Sequence, residues 1–136
     1  MHRLLACLAL LLPLSVHAEL QTSNSWIKNL PPAVPVRAGY MTLTNTGSAA
    51  VRVQSVHSEV FANIEIHQTV EKDGMMSMEP VPQLIIEANS SVQFAPGGLH
   101  LMMMQPATPT KPGDIIPITI VFDDGSKQML DMEVRQ

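Results

Sequence analysis

The chain has 136 residues, 46% of them apolar, and a formal net charge of −4. That length suits one domain able to bury its own core. No cluster of Lys or Arg occurs anywhere, which argues against nucleic acid and anionic membrane surfaces as partners, because both need grouped cations to displace counterions.

Arg3 is followed by a Leu- and Ala-rich stretch over residues 4–14 that closes on Val16-His17-Ala18. This is the pattern of a secretory signal peptide cleaved after Ala18, and the apolar stretch is too short to cross a bilayer as a helix. Residues 1–18 are therefore read as the leader and 19–136 as the folded domain. Cys7 lies near the start of the apolar stretch rather than after it, the wrong place for a lipid-attachment box, so no lipid anchor is expected. Without the leader the chain carries a net charge of −5 and no cysteine. An exported protein that uses no disulfide must be held by its core. No second long apolar stretch follows, so no membrane insertion is expected, and a monomer is.

In chain order, short segments rich in β-branched and other apolar residues fall at 25–28, 38–45, 51–57, 64–70, 75–79, 84–87, 91–94, 99–104, 115–122 and 127–134. Turn-forming residues separate many of them, including Lys72-Asp73-Gly74, Ala88-Asn89-Ser90, Pro96-Gly97-Gly98 and Asp123-Asp124-Gly125. Ten of the eleven prolines are scattered between positions 31 and 117, which leaves no long helical window. The pattern predicts an all-β sandwich or barrel of antiparallel strands. Alternation sharpens this locally. Met41 and Leu43 share one face, with threonines on the other, and Ile64 and Ile66 alternate with Glu65 and His67. His67 should therefore point away from the core.

Beyond residue 18 only three histidines remain, against nine methionines. His67 precedes Met75-Met76-Ser77-Met78, and His100 precedes Leu101-Met102-Met103-Met104. Thioether sulfur is a soft donor that selects Cu(I), and imidazole also suits copper. A hairpin turn centred on Lys72-Asp73 would set His67 opposite Met78. One centred on Asp73-Gly74 would set Met78 opposite Thr69, one diagonal step away. Both two-residue turns put His67 and Met78 on one face, whereas an odd-length loop centred on Asp73 would not. His100 and Met102, two apart on a strand, also share a face. The two pairs make His67, Met78, His100 and Met102 a candidate tetrahedral metal set.

The same four residues carry a resemblance. His67, ten residues, Met78, twenty-one residues, then His100-Leu101-Met102 is the ligand spacing of PCuAC-type periplasmic copper chaperones. Met76-Ser77-Met78-Glu79-Pro80-Val81 and Phe94-Ala95-Pro96-Gly97-Gly98-Leu99-His100 are similar to that family too, and the likeness runs from Trp26 to Phe122. It implies a cupredoxin-like antiparallel β-sandwich that binds one Cu(I) per monomer and delivers it to a copper-receiving protein, a cytochrome oxidase subunit or its assembly factor. The chain departs from family members that carry a His- and Met-rich C-terminal extension, because it ends at Gln136 with no histidine after His100. A second, Cu(II)-selective site is accordingly not expected.

Several residues have a plainer reading beside the metal-binding one. Methionine is a flexible gap-filler, so Met41, Met103 and Met129 are assigned to the core, while Met75, Met76 and Met104 stand between core packing and lining the site. His57 is read as a loop-edge residue, and Trp26 and Tyr40 as structural. An enzyme is not expected: blue-copper electron transfer needs a Cys thiolate, and no acid or base accompanies the motif. The alternatives that stay open are copper storage or detoxification and a metal-free sandwich used for adhesion or assembly, which would leave the His and Met spacing unexplained.

Overall fold

The computed structural model describes residues 20–136, so the leader, its cleavage point and Cys7 lie outside the described residues. All regular structure among the described residues is β. In chain order the strands are β1 (Leu20–Lys28), β2 (Val36–Asn45), β3 (Val51–His57), β4 (Phe61–Lys72), β5 (Met75–Pro80), β6 (Ile85–Ile86), β7 (Ser90–Phe94), β8 (Leu99–Pro106), β9 (Ile115–Phe122) and β10 (Lys127–Arg135).

Following hydrogen-bonded neighbours from β4 through β8, β2, β1, β10, β9 and β3 leads back to β4, which closes the sheet into a flattened barrel. The closing contact between β3 and β4 is a single registered pair, Val56 with Ile64. β5 extends outward as a hairpin on β4, β6 pairs with β3, and β7 lies beside β2 and β8. Pairing is antiparallel except for β1 with β10 and β7 with β8, which run parallel.

Each predicted segment forms a strand, but β1 begins five residues before its expected start at position 25. Gln21-Thr22-Ser23-Asn24 has no apolar alternation. Its extended state comes from pairing of Leu20 to Ser23 with the far half of β2, followed by a bulge before Trp26. Asn24, in that bulge, has φ 51°, a left-handed conformation that Asn tolerates better than most residues.

The core collects one face of each wall strand: Ile116, Ile118, Ile120 and Phe122 from β9, Leu130, Met132 and Val134 from β10, Met41 and Leu43 from β2, and Leu101 and Met103 from β8. Met41 and Met103 thus pack as expected. Met129 does not, being 70% exposed. It shares strand parity with Asp131 and Glu133, and the alternate residues Leu130, Met132 and Val134 fill the interior instead.

Two features set the position of β8. Gly39 on β2 faces Leu101, and a Cβ at residue 39 would lie 3.1 Å from both Leu101 Cβ and Met103 Sδ. The missing side chain lets β2 and β8 lie close. At residue 37 the buried Arg37 side chain donates from Nε to Thr110 Oγ1 at 2.7 Å and to the carbonyls of Val34 and Val36. Thr110 in turn donates to Asn29 Oδ1, which ties the connections flanking this part of β2 together and keeps the buried cation hydrogen-bonded.

Candidate metal centre

β4 and β8 pair so that His67 lies directly opposite His100, and Glu65 opposite Met102. Because side chains alternate along a strand, His100, Met102 and Met104 share the outward face of β8, while Leu101 and Met103 are buried inside. The two imidazole rings have centroids 6.1 Å apart and planes inclined at 49°.

The β4–β5 hairpin supplies the third partner. Asp73 has φ 53° and Gly74 φ 77°, so both central residues of the turn are left-handed, as a type I′ turn requires. Asp-Gly tolerates this pair of conformations, whereas a turn centred one residue earlier would force Lys72 into one of them. Of the two even registers open to the sequence, the second therefore forms, with Lys72 opposite Met75 and Thr69 opposite Met78. Met78 lies on the His67 face, one diagonal step from the imidazole, about 7–8 Å between such positions and within reach of a long side chain. Met78 is 58% exposed on the edge strand, and Met75 and Met76 are exposed beside it.

Hydrogen bonding fixes both imidazoles. His67 Nε2 lies 2.8 Å from Glu65 Oε2, and the other carboxylate oxygen, Oε1, accepts from Asn63 Nδ2 at 3.0 Å. His100 Nδ1 lies 3.2 Å from the Gly98 carbonyl oxygen. An ionised carboxylate and a carbonyl only accept, so the protons are assigned to His67 Nε2 and His100 Nδ1. In neutral rings the bare lone pairs then fall on His67 Nδ1 and His100 Nε2. Both of these atoms are buried, and neither has a hydrogen-bond partner. A buried polar atom left unpaired costs about 1–3 kcal/mol, so two on facing residues call for a ligand that accepts electron pairs. Glu65 stays ionised more readily than an ordinary carboxyl, held below its usual range first by the His67 hydrogen bond and then by Asn63.

No cluster of three or more His, Cys, Asp or Glu side chains among the described residues is placed to hold a metal ion. Met78 and Met102, both bearing thioethers, share the face of these two nitrogens. Sequence reasoning missed Glu65 and Asn63 as parts of the site. The signal was present, because Asn63, Glu65 and His67 are spaced by two and so occupy one face of β4. Trp26 on β1 and Tyr40 on β2 are paired in register, with ring centroids 4.9 Å apart and planes inclined at 45°, and burial raises the Tyr40 hydroxyl above its ordinary pKa. His57, exposed at the end of β3, is hydrogen-bonded through Nε2 to Ser55 Oγ at 2.8 Å.

A family model described as "Putative lipoprotein LpqE-like" matches residues 20–134. The chain belongs to the LpqE-like family. Among sequence relatives, this LpqE-like chain is 33% identical over 107 residues to the uncharacterized protein RP573 of Rickettsia prowazekii (strain Madrid E), covering 78% of the chain and 59% of that protein. It is 31% identical over 116 residues to "Putative lipoprotein Lxx21020" of Leifsonia xyli subsp. xyli, covering 85% of the chain and 69% of that relative. The match thus spans somewhat over half the length of the Rickettsia protein. Among solved structures, the copper-bound PCuAC domain from PmoF2 superposes with a TM-score of 0.72 at 18% identity, over 88% of this chain and 95% of that one. The Cu(I) form of DR1885 from Deinococcus radiodurans gives 0.67 at 27% identity, over 93% and 81%. The LpqE-like chain therefore has the cupredoxin-like fold of a PCuAC domain.

Proposed function

We propose that this LpqE-like chain is a periplasmic metallochaperone that carries one Cu(I) between His67, Met78, His100 and Met102 and delivers it to a copper-receiving protein. The observation that carries this reading is the pair of buried, unpartnered ring nitrogens, His67 Nδ1 and His100 Nε2, on a face that also bears Met78 and Met102. The likeness to the Cu(I) form of DR1885 supports it.

Donor chemistry says what such a site does with its cargo. All four donors are neutral, so the bound ion keeps a charge of +1 and gains no thiolate bond. Copper is held by soft thioethers and imidazoles, yet it moves downhill to an acceptor offering thiolates. Thioethers need no deprotonation, so only the two imidazoles compete with protons on acidification. No catalytic step is required of the protein. The leader-like residues 1–18 support export, and the family resemblance makes cytochrome oxidase or its assembly factors the acceptor class to test first.

Anaerobic titration against a chromophoric Cu(I) chelator, followed by X-ray absorption of the loaded protein, tests the proposal. One copper per chain with two nitrogen and two sulfur neighbours is expected, with weak competition from Zn(II). A reduced site with only nitrogen and oxygen neighbours would refute it. Transfer to a thiolate-bearing acceptor peptide tests the release step, and copper retained under those conditions would refute delivery.

A further inference from the structure

Resting on that reading, we infer that Glu65 is a positioning residue that commits His67 to bind copper through Nδ1, while His100 binds through Nε2. The two imidazoles thus present opposite ring nitrogens to one ion.

The arrangement on β4 is a row of three side chains at alternate positions. Asn63 Nδ2 holds Glu65 Oε1 at 3.0 Å, which leaves Oε2 to accept from His67 Nε2 at 2.8 Å. With both oxygens engaged and aligned along the strand, the carboxylate acts behind the imidazole rather than as a ligand. A carboxylate bonded to the far nitrogen of a metal-binding His fixes the tautomer, orients the ring and makes the near nitrogen a better donor. It also places a negative charge behind a site whose four donors are neutral, beside Met102 on the neighbouring strand. His100 reaches the same end differently. Its Nδ1 is held by the Gly98 carbonyl, a backbone group that no side-chain substitution at residue 98 removes. Only on His67 is the choice of nitrogen made by a replaceable side chain.

The experiment uses the apo-protein labelled with nitrogen-15, at a pH where both rings are neutral, and reads the tautomers from long-range proton–nitrogen correlations. The parent should show His67 protonated at Nε2 and bare at Nδ1, and Cu(I) should then move the Nδ1 resonance. Glu65→Ala should mix the His67 tautomers and weaken Cu(I) binding by about 10- to 100-fold with stoichiometry still one. Glu65→Gln, whose side-chain oxygen still accepts, should recover most of the tautomer bias and part of the affinity. His100 should be unchanged in both variants. An unaltered His67 tautomer in Glu65→Ala, or a parent in which Cu(I) shifts His67 Nε2 more than Nδ1, overturns the assignment. Because the tautomer is read without metal, the two ideas fail separately: a parent that binds no Cu(I) sinks the chaperone reading, whereas the apo-protein tautomer alone decides whether Glu65 orients His67.

Discussion

Met102 and Met103 are chemically identical neighbours that differ only in the face of β8 they occupy. Met103 is fully buried against the interior, and Met102 stands outside, opposite Glu65. Met102→Leu conserves volume and hydrophobicity, so the apo-protein should lose less than about 1.5 kcal/mol in denaturant unfolding. Its Cu(I) affinity should nevertheless fall sharply in chelator competition, because a soft donor is gone. Met103→Ala should behave in the opposite way, costing about 2–5 kcal/mol while still binding one copper. At this scale the period-two pattern is readable for Met41 and Met103. The core assignment of Met129 fails, although Asp131 and Glu133, on its own parity, mark that side of β10 as wet. The unpaired nitrogens are not readable at all, since which atom of a ring is satisfied depends on side-chain geometry that no periodicity encodes.

The β4–β5 hairpin brings one candidate donor to the site through backbone register alone. Inserting one serine between Ser77 and Met78 leaves the Asp73-Gly74 turn intact and turns Met78 to the opposite face of β5. Since β5 is an edge strand paired only with β4, the barrel should retain its thermal stability within a few degrees. X-ray absorption of the copper-loaded variant should show one sulfur neighbour fewer. An unchanged pair of sulfurs would mean that Met78 is not a donor. The elements themselves are largely legible, because proline and glycine punctuation marks where strands stop. The choice between the two hairpin registers was also there to be read, because Asp73-Gly74 accepts positive φ at both central positions and Lys72-Asp73 does not. The start of β1 and its parallel pairing with β10 are hidden, being products of contacts with strands distant in the chain.

For the whole molecule, the absence of cysteine beyond residue 18 makes stability a matter of core packing and of whatever binds the native state. Cu(I) that binds only the folded protein adds about 2.7 kcal/mol when free metal is a hundredfold above the dissociation constant. For a domain of this size that corresponds to a rise in Tm on the order of 10 °C. Anaerobic scanning calorimetry should show it with Cu(I) and show little with Zn(II); equal shifts with both metals would contradict a soft donor set. The all-β class follows from composition and turn spacing. That the walls close through one registered pair, Val56 with Ile64, does not, since both strands are ordinary apolar segments with no mark of which neighbour completes the ring.

The four candidate donors differ greatly in depth. His100 is 6% exposed on a strand flanked on both sides by β4 and β2, whereas Met78 is 58% exposed on a strand with one neighbour. On the proposed Cu(I) reading, Met78 is the donor that an incoming acceptor sulfur reaches most easily. Exchange would then proceed by substitution, donor for donor, with the exposed thioether displaced first and the deeply seated His100 last, and the ion need never be free in water.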